Sequence, residues 1–159
     1  MVVCFAFLFL LSCATKSNIR TYNLENYVVM YFLPPTLWKA KDISAYVDFN
    51  YKSNSDAYVI CNISVVKKDR MSRSVSNFVF YADSNEYKLL ETRILRTSSI
   101  EKLVRVTSLL KQEDFLRIIN AENVSLKLIA DGVQYECFPS KDFNLLKREF
   151  TDNFSVTAN

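Results

Sequence analysis

Strict alternation of apolar and polar residues marks two adjacent stretches near the middle of the chain. Apolar side chains occupy every second position of 43–51 and again of 57–65, and the polar run 52–56 separates the two stretches. A period of two is the pattern of a strand with one buried face, and the polar run is typical of a turn. The two stretches therefore predict an antiparallel hairpin.

Shorter runs rich in β-branched and aromatic residues predict further strands on either side of this hairpin. The first covers 24–33 and stops at Pro34-Pro35. The stretch 34–42, which holds the single tryptophan Trp38, is predicted to be a turn-like link. The other predicted strands cover 77–81, 87–96, 102–110, 124–130 and 133–138. The last two flank Asp131-Gly132, a dipeptide that favours a tight hairpin turn.

Two segments in the last third of the chain have helical spacing. Residues 112–121 place Phe115, Ile118 and Ile119 on one face and begin with acidic residues, which a helix N-terminus favours. Residues 141–154 follow Pro139-Ser140 and place four side chains on one face: Phe143, Leu146, Phe150 and Phe154. Because strands come first and helices last, we predict an α+β fold. It would have an antiparallel sheet of about six to eight strands and one or two helices near the C-terminus.

The beginning of the chain has a different character. Val2 to Leu11 is an unbroken apolar run, and Ser12 then places a small residue directly before Cys13. The run is shorter than the roughly 20 residues of a membrane-spanning helix, but it fits the apolar region of a secretory signal, roughly 7–15 residues. The usual positive residues before that region are missing, since the first Lys or Arg is Lys16.

The segment Leu10-Leu11-Ser12-Cys13 resembles the cleavage site of bacterial membrane lipoproteins, and its bulky Leu11 is similar to the looser signals of spirochaete lipoproteins. The predicted helix, hairpin and helix from 115 to 150 also resemble the C-terminal part of many bacterial lipoproteins of uncharacterised function. The resemblance implies a signal peptide at 1–12, lipidation of Cys13 by acyl chains such as palmitate, a polar tether at 13–23 and one α+β domain at 24–159.

This interpretation places the protein in the cell envelope, held at a membrane through an N-terminal lipid and facing the periplasm or the cell surface. The alternative is an ordinary signal peptide that is cleaved near Ala14, which would give a secreted protein. Under the first interpretation Cys13 becomes the N-terminal residue of the mature protein.

Two residue types are nearly absent, and this excludes several kinds of chemistry. The chain has no histidine and one glycine, Gly132. Without imidazole, Ser-His-Asp and Cys-His catalysis and the usual zinc sites are excluded. One glycine cannot build a phosphate loop or a dinucleotide fingerprint. We therefore predict that the protein is not an enzyme and carries no metal or other cofactor.

Charge is nearly balanced, with 20 basic and 17 acidic residues and a formal net charge of +3. This balance predicts no binding to nucleic acid. Four basic residues nevertheless cluster in the sequence: Arg93, Arg96, Lys102 and Arg105. If their strands pair, these residues would line a patch for an anionic lipid head group or glycan. The alternative is a solvated sheet face whose charges protect an edge.

Two cysteines, Cys61 and Cys137, remain after the predicted leader, and each lies in an apolar-rich predicted strand. We predict that both are buried, either as free thiols or as a disulfide. A disulfide requires Cα atoms within roughly 7 Å, a distance that sequence does not supply.

These observations predict a binding or structural role in the envelope through contact with a protein partner. A small-molecule or lipid carrier, with an apolar cavity between sheet and helices, is the alternative. An envelope hydrolase is a third possibility, opposed by the missing histidine. A large lined pocket would favour the carrier, whereas an exposed aromatic patch would favour the interaction protein.

Overall fold

The computed structural model of this chain describes residues 19–25, 27–33, 35–53 and 57–157. Eleven strands and two helices lie within these ranges. The strands are β1 (Ile19–Leu24), β2 (Tyr27–Phe32), β3 (Thr36–Lys39), β4 (Ile43–Lys52), β5 (Tyr58–Lys67), β6 (Val75–Ala82), β7 (Asn85–Lys88), β8 (Leu90–Ser98), β9 (Leu103–Lys111), β10 (Val124–Ala130) and β11 (Val133–Pro139). The helices are α1 (Gln112–Asn120) and α2 (Lys141–Thr157).

The strands form one antiparallel sheet. Its path runs β7-β6-β10-β11-β3-β4-β5-β9-β8, while β2 pairs with β4 beside this path and β1 pairs with β2. The two ends of the path, β7 and β8, are consecutive in the chain and are separated by Leu89 alone. The sheet therefore curves until its ends meet, and it forms a nearly closed barrel.

The predicted antiparallel sheet and the two helices are confirmed, but the predicted strand number is wrong. The sheet has eleven strands rather than six to eight, so the fold is mostly β rather than α+β. Residues 19–23 of the expected tether belong to β1, the expected link contains β3, and the predicted strand 87–96 is divided at Leu89 into β7 and β8. Strand β1 was not predicted because it lacks the alternation of apolar and polar residues that marks a half-buried strand. All of its residues after Ile19 are exposed.

Several of the predicted elements are confirmed. The alternating stretches pair as β4 and β5, with Phe49 opposite Cys61, and the Asp131-Gly132 turn joins β10 to β11. Both turn residues have positive φ, 53° and 77°, as a tight hairpin turn of this kind requires. The expected helix faces are also correct, since Phe115, Ile118, Ile119, Phe143, Leu146 and Phe150 are buried. Phe154 lies outside the side chains that the structure describes.

Aromatic side chains fill the space between the inner face of the sheet and the helices. Phe115 of α1 lies 5.1 Å from Phe49 and 5.4 Å from Phe150 of α2, measured between ring centroids. Trp38 of β3 packs 4.9 Å from Phe143 of α2 and is fully buried. Its indole Nε1 donates a hydrogen bond to Thr36 Oγ1, 3.0 Å away, which satisfies the one polar atom of the ring.

Candidate binding cleft

A cleft of about 660 Å³ opens where the two ends of the sheet approach each other. Strand β6 forms one wall and β8 the other, and side chains of β10 and β11 complete the lining. We call it the β6–β8 cleft, and the residues that line it include Asn77, Phe78, Lys88, Thr92, Ile94 and Lys127. Its volume lies within the range of about 300–1,000 Å³ that is typical of ligand pockets.

The cleft exists because the barrel wall stops pairing at Leu89. Strand β6 pairs with β7 only over Val79–Ala82, and the Leu89 N–H then donates a hydrogen bond to the Phe78 carbonyl, 3.1 Å away. Beyond this point the chain becomes β8, which pairs with β9. Among the described residues, no strand pairs with β8 on its other edge or with Val75–Phe78 on the side that faces β8.

Three register shifts bend the walls of the cleft. In β6 the register with β10 shifts beside Asn77, whose φ is 52°. In β8 the register with β9 shifts beside Glu91, whose φ is 49°, and again between Ile94 and Arg96. Bulges of this kind bend a strand and redirect its side chains. Non-glycine residues with positive φ are uncommon and are enriched at functional sites, so their positions on both walls support a binding role for the cleft.

Strand β8 is exposed on both faces. Ile94 lies opposite the fully buried Val106 of β9 and so points to the inner side of the sheet, yet it remains 60% exposed. The neighbouring Leu95 is 56% exposed. A long edge strand with apolar residues in solvent is a template for pairing with another chain. This exposure is the feature of the cleft that sequence periodicity does not reveal.

Two lysines give the cleft a positive charge. Lys88 and Lys127 both line it, and neither has a carboxylate partner among the described residues. The Lys127 Nζ lies 3.9 Å from the ring centroid of Tyr81, a cation–π contact that holds the ammonium at the cleft. The Tyr81 hydroxyl donates a hydrogen bond to Glu86, and this bond raises the pKa of Tyr81. The cleft therefore offers apolar surface and two cations, and the carboxylates of Glu86 and Glu136 lie close to its Tyr81.

The predicted basic cluster is only partly assembled. Arg93 and Arg96 on β8 lie opposite Thr107 and Arg105 on β9, so the three arginines share the outer face of the sheet. Each has a carboxylate partner: Arg93 with Glu91 (3.4 Å), Arg96 with Glu101 (3.0 Å) and Arg105 with Asp48 (2.8 Å). Lys102 lies in the β8–β9 turn, where its Nζ donates to the Lys68 carbonyl. This arrangement favours a solvated sheet face over an anion site.

Arg105 also belongs to a polar cluster that the sequence did not indicate. The buried Asp48 carboxylate accepts hydrogen bonds from Asn62 Nδ2 at 2.7 Å and Arg105 Nη2 at 2.8 Å. Arg105 Nη1 donates in turn to Ser64 Oγ at 2.8 Å. These side chains connect β4, β5 and β9 on the outer face. Because the carboxylate is satisfied on both oxygens, the cluster stabilises the sheet and offers no acid–base pair.

The predicted burial of the cysteines is confirmed. Cys61 on β5 and Cys137 on β11 are fully buried, and both are free thiols. Strands β3 and β4 lie between them in the sheet, a separation of roughly 14 Å at about 4.8 Å per strand, whereas a disulfide needs Cα atoms within roughly 7 Å. Burial raises the pKa of Cys137 to about 11, and burial followed by the charge of Asp48 raises the pKa of Cys61 well above its usual range.

Neither metal-binding geometry nor a spanning helix is found in the described part of the chain. Within residues 19–25, 27–33, 35–53 and 57–157, no three His, Cys, Asp or Glu side chains converge on a point where an ion could bind. Of the two helices described, neither has the length and apolar content that crossing a bilayer requires. The predicted lipidation site, Cys13, lies outside the described residues.

Comparison with protein-family models, with curated proteins and with solved structures gives no match to this chain. The cleft geometry and the N-terminal signal pattern are therefore the basis for assigning a function.

Proposed function

We propose that this protein is a non-enzymatic envelope lipoprotein, anchored through Cys13, that binds an extended segment of a protein partner in the β6–β8 cleft. The main support is the exposed edge of β8, which pairs with no other described strand and faces the end of β6 across the cleft. An added strand would complete the barrel wall.

Strand addition fits the backbone chemistry of the cleft. The N–H and C=O groups along a free strand edge seek partners, and an extended peptide supplies them in a row. The Phe78 carbonyl already accepts a hydrogen bond from Leu89, so the free end of β6 is Val75–Asn77, which spans about 10 Å at roughly 3.3 Å per residue. A segment of about three to five residues would therefore pair with it, and main-chain hydrogen bonds would provide much of the affinity.

The side chains of the cleft determine which type of partner segment would bind. Ile94 is 60% exposed, and Val79 and Ile129 are half-buried, so these side chains offer apolar contacts and alternate residues of the segment would be apolar. Lys88 and Lys127 favour carboxylates on the segment. The preferred partner is thus an acidic segment with alternating apolar residues, of the kind that forms a strand on binding.

The carrier alternative has less support from the geometry. It requires an apolar cavity between the sheet and the helices, but the rings of Phe115, Phe49 and Phe150 occupy that space at centroid distances of 5.1–5.4 Å. A ligand there would have to displace packed side chains, and packed interiors resist such displacement.

A peptide-display selection followed by backbone methylation tests strand addition. The purified full chain is used to select binders from a library of random peptides of about ten residues, and the best binder is then N-methylated at one amide at a time. A strand donates alternate amides to its neighbour, so we expect methylation at alternate positions to weaken binding at least tenfold and methylation between them to have little effect. Uniform tolerance of methylation, or the absence of any selected peptide, would refute strand addition.

Two matched variants locate the site. Ile94→Glu places a charge on the cleft wall, whereas Ile100→Glu places the same charge on a residue that is 94% exposed in the β8–β9 turn. We expect only Ile94→Glu to weaken peptide binding, and both variants to retain the wild-type circular dichroism spectrum because both positions are solvent-exposed. Equal affinity of the two variants would place the site elsewhere.

Anchoring is tested separately by the intact mass of the protein from membrane fractions. A mature chain that begins at Cys13 and carries acyl chains is expected. A soluble chain that begins at Ala14 or later would contradict the anchor and would leave the peptide-binding measurement unaffected.

A further inference from the structure

The β1–β2 hairpin carries a shallow apolar groove on its outer face, with a volume of about 430 Å³. Its lining is Arg20, Tyr22, Leu24, Val29, Tyr31 and Leu33, which we call the β1–β2 groove. Tyr22 and Leu24 are each 51% exposed, and the two tyrosine rings meet edge to face at 5.7 Å. Apolar side chains that remain this exposed on adjacent strands indicate a surface that contacts something other than water.

The groove lies on the face opposite the core. Ile19 pairs with Phe32 and points inward with it, and Met30 is buried opposite Tyr51. Tyr22 pairs with Val29 on the other face. Strand β2 is therefore apolar on both faces, although a strand of an antiparallel sheet with one wet face normally alternates. Core packing accounts for the inner residues but leaves the outer ones without a structural role.

We infer that the β1–β2 groove rests on the surface of the lipid bilayer to which the protein is anchored. This inference rests on the proposed lipidation of Cys13. Ile19 follows Cys13 by six residues, and a chain of that length spans at most about 22 Å even when it is fully extended. Of the described strands, β1 is the first after the anchor, so the groove is held close to the lipid head groups.

The side chains of the groove suit such a surface. Tyrosine places an apolar ring and a polar hydroxyl at the boundary between acyl chains and water, and leucine adds apolar contact. Arg20, at one end of the groove, would meet the phosphates of anionic lipids. A bilayer surface is thus matched both by the chemistry of the groove and by its distance from the anchor.

This orientation leaves the β6–β8 cleft free. Strand β2 pairs with β4, and β5 and β9 separate β4 from β8 in the sheet. Four strand spacings of about 4.8 Å therefore place β8 roughly 19 Å from β2 along the curved wall. A partner segment would have access to the cleft while the β1–β2 groove lies on the membrane.

Fluorescence quenching by lipids tests the inference. The full chain is reconstituted into vesicles of phosphatidylethanolamine and phosphatidylglycerol that contain a phospholipid with a nitroxide near its head group. A fluorescent amino acid replaces Leu24 in one preparation and Ile100, in the distant β8–β9 turn, in the other. We expect quenching at position 24 to be at least twofold stronger than at position 100, and a third preparation labelled at Leu33 to behave like the first.

Each contrary outcome is decisive. Equal quenching at positions 24 and 100, or quenching at neither, would overturn the inference, as would failure of the chain to float with vesicles. Retention of the wild-type circular dichroism spectrum shows that the labelled chains fold. Peptide binding to the same preparations reports on the β6–β8 cleft independently, so loss of membrane contact is distinguishable from loss of the proposed binding function.

Discussion

Replacing Phe115 with alanine should remove a ring that contacts four other aromatic side chains of the interior. Phe115 is fully buried on α1, and its ring lies 5.7 Å from Phe32, 5.1 Å from Phe49, 5.8 Å from Tyr51 and 5.4 Å from Phe150. It therefore joins β2, β4 and α2 through one ring. Truncation leaves a cavity with rigid aromatic walls that cannot collapse easily.

The magnitude follows from this environment. Truncation of a buried Phe to Ala typically costs about 3–5 kcal/mol. Phe115 also loses four ring contacts, two of them edge to face, and aromatic pairs are worth about 0.5–1.5 kcal/mol each, which favours the upper part of that range. A domain of this size has a free energy of unfolding of about 5–15 kcal/mol, so the variant should lose a large part of its stability. The control Phe115→Leu keeps most of the apolar volume and should cost less than half as much.

Urea unfolding followed by Trp38 fluorescence measures the effect. Trp38 is the single tryptophan and is fully buried against Phe143 and Phe80, so its emission should shift when the core opens. The slope of the unfolding free energy against urea concentration should stay unchanged, while the urea concentration at the midpoint of unfolding falls. If Phe115→Ala costs no more than Phe115→Leu, the α1 ring does not fill the barrel interior and the case against an internal carrier cavity fails.

Three further measurements test other parts of the structure. Cys61 and Cys137 should resist a thiol reagent at pH 8 in the native protein and react fully after denaturation, because burial raises the pKa of both; rapid native labelling would contradict their placement. Asp131→Asn should lower stability above about pH 5 and have little effect near pH 2. The backbone N–H of Arg73, together with Lys67 and Ser74, lowers the pKa of the Asp131 carboxyl in the native protein. The stabilisation by this carboxylate is therefore present above the unfolded pKa of about 3.9 and is lost as the pH falls through the native pKa. If the stability of Asp131→Asn in urea unfolding varied with pH in the same way as that of the wild type, a stabilising role for the Asp131 carboxylate would be ruled out. Gly132→Ala should cost about 1–2 kcal/mol, because φ is +77° there although no atom lies within 4 Å of an added Cβ, and Gly132→Asn should cost less; equal stabilities would show that the turn has another conformation.

Local patterns predicted the elements whose sequence signal coincides with burial. The apolar residues at every second position of β4 and β5 face the core, and the α1 face is evident from Phe115, Ile118 and Ile119. The Asp131-Gly132 turn was predictable because both positions need positive φ. The burial of the cysteines followed from the same apolar surroundings.

Much less of the candidate site could be predicted from the sequence. Closure of the sheet depends on Leu89, where the chain passes from one end of the sheet path to the other, and nothing in the local pattern distinguishes this leucine from its neighbours. The β6–β8 cleft depends on which strand edges remain unpaired, and pairing joins residues that are distant in the chain. The arginines of the expected basic patch share one face, but the carboxylates that neutralise them come partly from another strand, as Asp48 does for Arg105.

The sequence by itself determined which residues are apolar, which turn is tight and which chemistry the missing histidine excludes. These properties are set by single residues or by residues close together in the chain. Only the tertiary structure decided that the sheet curves into a nearly closed barrel, that aromatic rings fill its interior, and that one edge of β8 pairs with no strand of the described part of the chain. The reason is physical: strand pairing and charge neutralisation are contacts between distant segments, and local periodicity carries no information about which segments will meet.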